Sequence, residues 1–192
     1  MKSIASPILI QQITEAILPH YEPSEARAIA FRCLDLGWNV SSMDIMLKKE
    51  VDLPQDWSSR LARLAAGEPL QYVMGKTYFR DHLFQVNADT LIPRPETEEL
   101  VDLVLTHAFE NASVLDVGTG SGCIPISLKL EWPSLTVEAW DISAGALTMA
   151  RQNAKALEAE VKFKQQDIFA WHSSEGNWDV IVSNPPYVTE EE

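Results

Sequence analysis

The chain has 192 residues, 46% of them hydrophobic, enough to bury a core for one domain and a smaller companion. Its formal net charge of −13 disfavours a polynucleotide partner, and no stretch approaches the roughly 20 apolar residues that span a bilayer. Cys33 and Cys123 form no CxxC pair, and His20, His82, His107 and His172 are scattered, so neither a disulfide framework nor a metal site is suggested.

The opening stretch "MKSIASPILIQQITEAILPHYEP" reads as an amphipathic helix, because Gln11, Gln12 and Glu15 interrupt any signal-like apolar run. A cytoplasmic address is the expectation. Ser24 starts a second helix, "EARAIAFRCLDLG", in which Ile29, Cys33 and Leu36 share a face and Gly37 stands just past the end. Ser41 or Ser42 caps "MDIMLKKE", and Pro54 opens "QDWSSRLARLAAG" with Trp57, Leu61 and Leu64 at helical spacing. Residues 1–75 are therefore expected to form a small helical bundle. Residues 76–93, "KTYFRDHLFQVNADTLIP" with its neighbours, mix aromatics and β-formers around Asn87 and Asp89, the pattern of a linking hairpin.

Residues 94–192 alternate helix and strand: "PETEELVDLVLTHAFE", "SVLDVG", "GCIPISLKL", "TVEAWDI", "AGALTMARQNAKAL", "VKFKQQDIF" and "WDVIVSN". Such alternation predicts an α/β fold with a parallel sheet and ligands at the carboxyl ends of its strands. From Lys76 onward there are 8 Lys and Arg against 19 Asp and Glu, so the half that carries the motifs is the acidic one.

"VLDVGTGSG" is a strand running into a glycine turn. Gly118, Gly120 and Gly122 free the backbone for a ligand, but the dinucleotide spacing GxGxxG would need glycine at Cys123. Asp116 at the strand end would repel a diphosphate and suit a cation; S-adenosylmethionine carries an ammonium and a sulfonium and no phosphate. Asp141, at the end of the next strand, can accept two ribose hydroxyls, with Ile142 covering an adenine face. It could instead cap the helix that follows, a role for which Ser143 competes. Asp167 is either an adenine-amino acceptor or an ordinary turn carboxylate. "NPPY", Asn184 to Tyr187, is either a strand-ending turn or a rigid corner for chemistry.

Together these motifs resemble the class I S-adenosylmethionine-dependent methyltransferases that act on planar nitrogens. With "GEPLQYVMG" and "LIPRPETEELV" the chain is similar to the HemK-like family, the protein-glutamine methyltransferases of peptide chain release factors. The resemblance implies a Rossmann-like catalytic domain behind a helical domain that recognises the protein substrate, and S-adenosylmethionine as cofactor. It implies cofactor contacts from Asp116, Gly118, Thr119, Gly120, Gly122, Asp141, Ile142 and Asp167. Asn184 and the Pro185 carbonyl would accept the two N–H bonds of the target amide. Pro186 would stiffen the corner and Tyr187 would pack on the amide plane, while Arg94 and Thr97 would shape the pocket.

The family's sheet has seven strands, whereas four strand candidates follow Asn111 here. The expectation is of cofactor-binding elements with weak methyl transfer, in a fragment or in a chain whose sheet another chain completes. Two other classes use parts of the same pattern. A nucleic-acid N-methyltransferase would present a basic groove or an added target-recognition domain, neither visible here. A non-catalytic module would bind a protein through the helical domain alone.

Overall fold

In the computed structural model, which describes residues 2–171 and 176–185, the apolar stripe Leu9, Ile13 and Ile17 lies buried on helix α1 (Ser6–Ile17). The four-residue spacing puts all three on one side of a 3.6-residue helix. They pack in one core with Ala26, Ala30, Cys33 and Leu34 of α2 (Pro23–Trp38). Helix α2 ends at Asn39, left-handed at φ 52°, whose N–H bonds back to Asp35 O at 2.8 Å. Gly37 is not the terminator expected from sequence. It lies inside the last turn, where an added Cβ would come within 2.8 Å of Met74 Cε, so close packing explains the glycine and asparagine supplies the left-handed stop.

A second correction concerns the first residues. Lys2–Ala5 is a strand (β1), paired antiparallel with β2 (Glu50–Leu53), with Lys2 opposite Leu53 and Ala5 opposite Glu50. Strand β2 ends what "MDIMLKKE" suggested as one helix: α3 spans only Ser42–Met46, closed by a Ser41/Asp44 capping box. Alternation in β2 turns Val51 and Leu53 into the core. Helices α4 (Trp57–Ala65) and α5 (Leu70–Met74) complete a unit that runs Met1–Lys76.

The other unit, Thr77–Glu192, has a separate core. The hairpin β3 (Lys76–Phe79) and β4 (His82–Gln85) starts at the boundary and lies in this unit from Thr77 on. The turn is Arg80–Asp81, both at positive φ, as a tight two-residue hairpin requires, and not the Asn87–Asp89 segment favoured from sequence. That segment forms a local turn of its own, with Asp89 N donating to Asn87 Oδ1 at 3.0 Å. The Arg80 side chain, only 17% exposed, pairs with Glu131 and Asp102 and donates to Glu98 O, fastening the hairpin to two helices.

The elements after the hairpin are α6 (Glu96–His107), β5 (Ser113–Val117), α7 (Cys123–Glu131), β6 (Thr136–Asp141), α8 (Ala144–Ala156), β7 (Lys162–Gln165) and β8 (Val180–Ser183). The four strands form one parallel sheet in the order β7-β6-β5-β8, with Val114 opposite both Val137 and Val180. This is the parallel α/β sheet expected from the alternation, and the Rossmann-like arrangement that the resemblance implied. Parallel pairing brings the carboxyl ends of all four strands, and with them Asp116, Asp141 and Asn184, to one edge. Among the described residues no helix is long and apolar enough to cross a membrane.

Candidate active site

Strand β5 ends in the glycine loop, which is strapped to its neighbour. Gly118 N and Thr119 N both donate to Trp140 O at 2.9 Å, Gly120 N donates to Asp141 Oδ2 at 2.8 Å, and Gly122 N donates to Thr119 O at 2.9 Å. Four loop amides are thus consumed internally, which leaves this turn poor in the free N–H groups that a phosphate cradle presents. Gly118 and Gly120 both have positive φ, and a Cβ at either would meet nothing within 4 Å, so open space lies beside the backbone. Gly122 differs. Its Cβ would strike Ile126 Cδ1 at 2.9 Å and Ala150 Cβ at 3.1 Å, so it serves the packing of α7 against α8.

Asp141 holds the loop from the next strand. Its Oδ2 accepts from Gly120 N and its Oδ1 from Ser143 N at 2.9 Å, while Ser143 caps α8 by accepting from Ala146 N. The capping role therefore falls to Ser143. A carboxylate offers about four lone-pair directions, and two remain here for ligand hydroxyls. Ile142 is 66% exposed beside it. Asp167 caps a 3₁₀ turn, Ile168–Ala170, with Oδ1 accepting from Phe169 N at 2.9 Å, so its turn role is present in the structure.

Beneath the loop lies Asp116, with no exposed surface. Among the described residues neither of its oxygens has a hydrogen-bond partner, nor has the hydroxyl of buried Thr119 or buried Ser121. Orphaned polar atoms each cost about 1–3 kcal/mol and call for an explanation, such as a charge or ligand that enters later. Burial pushes the Asp116 carboxyl up to about 7; the nearby Thr119 hydroxyl offsets this in part and the Asp141 charge adds to it. The folded state therefore keeps a proton that the unfolded chain releases near pH 4, and stability falls as pH rises from about 4 to about 7. At pH 8 the penalty reaches roughly 4 kcal/mol. Asp116→Asn removes it but leaves an unpaired carboxamide, returning about 1–3 kcal/mol. Net stabilisation of about 2 kcal/mol at pH 8, turning into a destabilisation of about 2 kcal/mol near pH 4, is the expected result of denaturant unfolding followed across pH.

Asn153 was not singled out from sequence. Buried on α8, it accepts from Gln85 N at 2.7 Å and donates to Gln85 O and Ser121 O at 2.9 Å each, tying the hairpin to the glycine loop. Asn153→Ala would leave the buried Ser121 carbonyl and the part-buried Gln85 N–H and carbonyl without their partner, and a loss of about 2 kcal/mol in thermal or denaturant unfolding is expected.

Strand β8 delivers the second half of the site. Ser183 Oγ donates to Val117 O at 2.7 Å, and the next residue, Asn184, donates from Nδ2 to Thr97 Oγ1 at 3.0 Å. Among the described residues nothing donates to Asn184 Oδ1. Asn184 and Pro185 line a cleft of about 600 Å³ with Leu91, Arg94, Thr97 and Leu100. Arg94 is exposed at its rim, while Thr97 is buried in the first turn of α6. Pro186 and Tyr187 lie outside the described residues. A larger groove, of about 820 Å³, lies on the helical unit, but the strand-end chemistry is not there.

The pieces suit a ligand with cationic groups and vicinal hydroxyls, held near Asp116 and Asp141, beside a corner that accepts hydrogen bonds. Among the described residues no three His, Cys, Asp or Glu side chains are grouped to hold a metal ion.

The family model for the methyltransferase small domain matches residues 97–192. The release factor glutamine methyltransferase of Bacteroides thetaiotaomicron is 42% identical over 186 residues, covering 94% of this chain and 66% of that protein. Its namesake in Streptococcus pneumoniae is 37% identical and covers 96% and 66%. That of Koribacter versatilis is 40% identical and covers 94% and 68%. The chain thus spans about two thirds of the length of these relatives. Among solved structures, the tRNA (uracil-54, C5)-methyltransferase of Pyrococcus abyssi, in complex with S-adenosyl-L-homocysteine, aligns over 58% of this chain and 27% of its own. The TM-score is 0.48 and the identity 20%.

Proposed function

Because the chain belongs to the family of release factor glutamine methyltransferases, we propose that it uses S-adenosylmethionine to methylate the side-chain amide nitrogen of a glutamine in a peptide chain release factor. The observation that carries this reading is the polarity of the strand-end corner. Asn184 gives one N–H of Nδ2 to Thr97 and keeps its Oδ1 acceptor, as a site that takes an NH₂ group requires.

S-adenosylmethionine, when bound, supplies an electrophilic methyl group on a sulfonium that is itself a good leaving group. Asp141 would receive the ribose hydroxyls on its remaining lone pairs, beside exposed Ile142. Gly118, Thr119 and Gly120 would give the cofactor close access to the backbone, and Asp116, buried below them, would favour positive charge through its field. Asp167 retains one oxygen for an adenine amino group.

The substrate's difficulty is electronic, since an amide nitrogen donates its lone pair to the carbonyl. Asn184 Oδ1 and the Pro185 carbonyl accept its two N–H bonds, fix the plane of the amide and return electron density to nitrogen. Such positioning can remove roughly 7–11 kcal/mol from a barrier at best, and its benefit falls off with small displacements. Pro186 and Tyr187 complete the corner in this reading. The helical unit recognises the protein substrate, and the exposed Met43, Met46 and Leu47 on and beside α3 offer it an apolar contact surface. The setting is the cytoplasm, where release factors act.

Calorimetric titration of S-adenosylmethionine into the chain tests the first requirement. Saturable binding at one site is expected, whereas a folded chain that gives no binding heat would remove the cofactor assignment.

A further inference from the structure

We infer that Thr97 fixes the sense of the Asn184 side chain and so makes the cleft selective for a carboxamide over the isosteric carboxylate. This deepens the glutamine reading above and rests on it. An asparagine amide accepts at Oδ1 and donates at Nδ2, and half a turn about its last torsion exchanges the two. Unrestrained, Asn184 could accept from a glutamine NH₂ in one sense or donate to a glutamate carboxylate in the other.

The Thr97 hydroxyl accepts one of the two N–H bonds of Nδ2 at 3.0 Å, which turns the nitrogen end of the amide toward the protein. Thr97 is itself packed in place: it is 7% exposed, and its N–H donates to Arg94 O at 3.0 Å. The following residue is anchored too, since Arg80 N donates to Glu98 Oε1 at 3.0 Å and Arg80 Nη1 to Glu98 O at 3.1 Å. The hairpin thus holds the first turn of α6, and that turn holds a side chain 87 residues further along. What that leaves at the other end of the amide is Oδ1, which accepts from no described residue. Glutamine meets it with a donor, whereas an ionised glutamate brings only oxygen lone pairs to an oxygen lone pair and gives up water in exchange.

The test compares three forms of the 192-residue chain: unaltered, Thr97→Val, which keeps the shape without the hydroxyl, and Thr97→Ser, which keeps the hydroxyl. Nuclear magnetic resonance reads the Asn184 side-chain NH₂ pair, identified by its disappearance in Asn184→Ala. One proton of the pair should be shifted downfield and slow to exchange in the unaltered chain and in Thr97→Ser, and neither in Thr97→Val. Titration then compares two peptides that differ only in a central glutamine or glutamate. The preference for glutamine should fall about tenfold in Thr97→Val, the worth of one hydrogen bond, and return in Thr97→Ser.

An NH₂ pair unchanged by Thr97→Val would overturn the inference, because Thr97 would then donate to Oδ1 or not act at all. A changed pair with an unchanged peptide preference would overturn the selectivity. An unaltered chain that holds its Asn184 NH₂ as expected yet shows no preference for glutamine would sink the glutamine reading itself, and the selectivity with it.

Discussion

Asp141→Ala is expected to raise the dissociation constant for S-adenosylmethionine by at least about 100-fold. The side chain does two things at once. It holds Gly120 and Ser143 through charged bonds of 2.8 and 2.9 Å, and its remaining lone pairs face the position proposed for the ribose. Hydrogen bonds to an ionised group contribute about 1.5–3 kcal/mol each, so losing two at the ligand gives roughly 10²- to 10⁴-fold before any loosening of the loop. Asp141→Asn is the informative companion. It can still accept at one oxygen but cannot receive both backbone donors, so its affinity should fall between the two. Calorimetry reads the binding, and far-ultraviolet circular dichroism shows whether each variant remains folded. Undiminished affinity in a folded Asp141→Ala chain would place the cofactor elsewhere.

Asn184→Ala is expected to slow methyl transfer by roughly 10²- to 10³-fold, the range for removing one preorganised polar contact aimed at the reacting group. Cofactor affinity should not move, because Asn184 stands at the end of β8 and the loop is held from β6 and α8. Asn184→Gln keeps the functional group but displaces it by one methylene, and it should be impaired as well, since misplacement of this size is costly in a positioned reaction. Equal loss of cofactor binding and of transfer in Asn184→Ala would mean that the residue supports the fold and has no special part in chemistry.

Much of the site could be read locally. A strand that ends in glycines, an aspartate at the next strand's end and Asn-Pro-Pro after a third are short-range patterns, and parallel pairing brings them to one edge. What escaped reading depends on contacts distant in sequence. Asn153 and Gln85 are 68 residues apart, and Thr97 reaches Asn184 across 87, so no local spacing announces either pair. Lys2–Ala5 reads as helix in the sequence because its residues lead directly into the apolar periodicity of α1. Only pairing with Glu50–Leu53, which lies beyond three helices, makes it a strand. Gly122 shows the converse: it sits in a ligand-binding motif, yet the space it saves is filled by Ile126 and Ala150. Gly37 likewise marks a close approach by Met74 where the sequence suggested a helix end.

Asp116 joins stability to function. A carboxylate buried without a partner is a cost that the free protein carries and a bound cation would relieve. Asp116→Asn should therefore make the chain more stable above neutral pH while weakening its hold on a positively charged cofactor, a trade expected where strain is kept for binding.

The most direct test of the central claim is the identity of the methylated atom. The chain, in excess over a release factor and supplied with S-adenosylmethionine carrying a deuterated methyl, is followed by fragmentation mass spectrometry of the digested substrate. The expected result is one labelled methyl on the side-chain amide nitrogen of a single glutamine, however slowly it accumulates, and none with Asn184→Ala. Label on another residue type, or no label although the cofactor is bound, would contradict it.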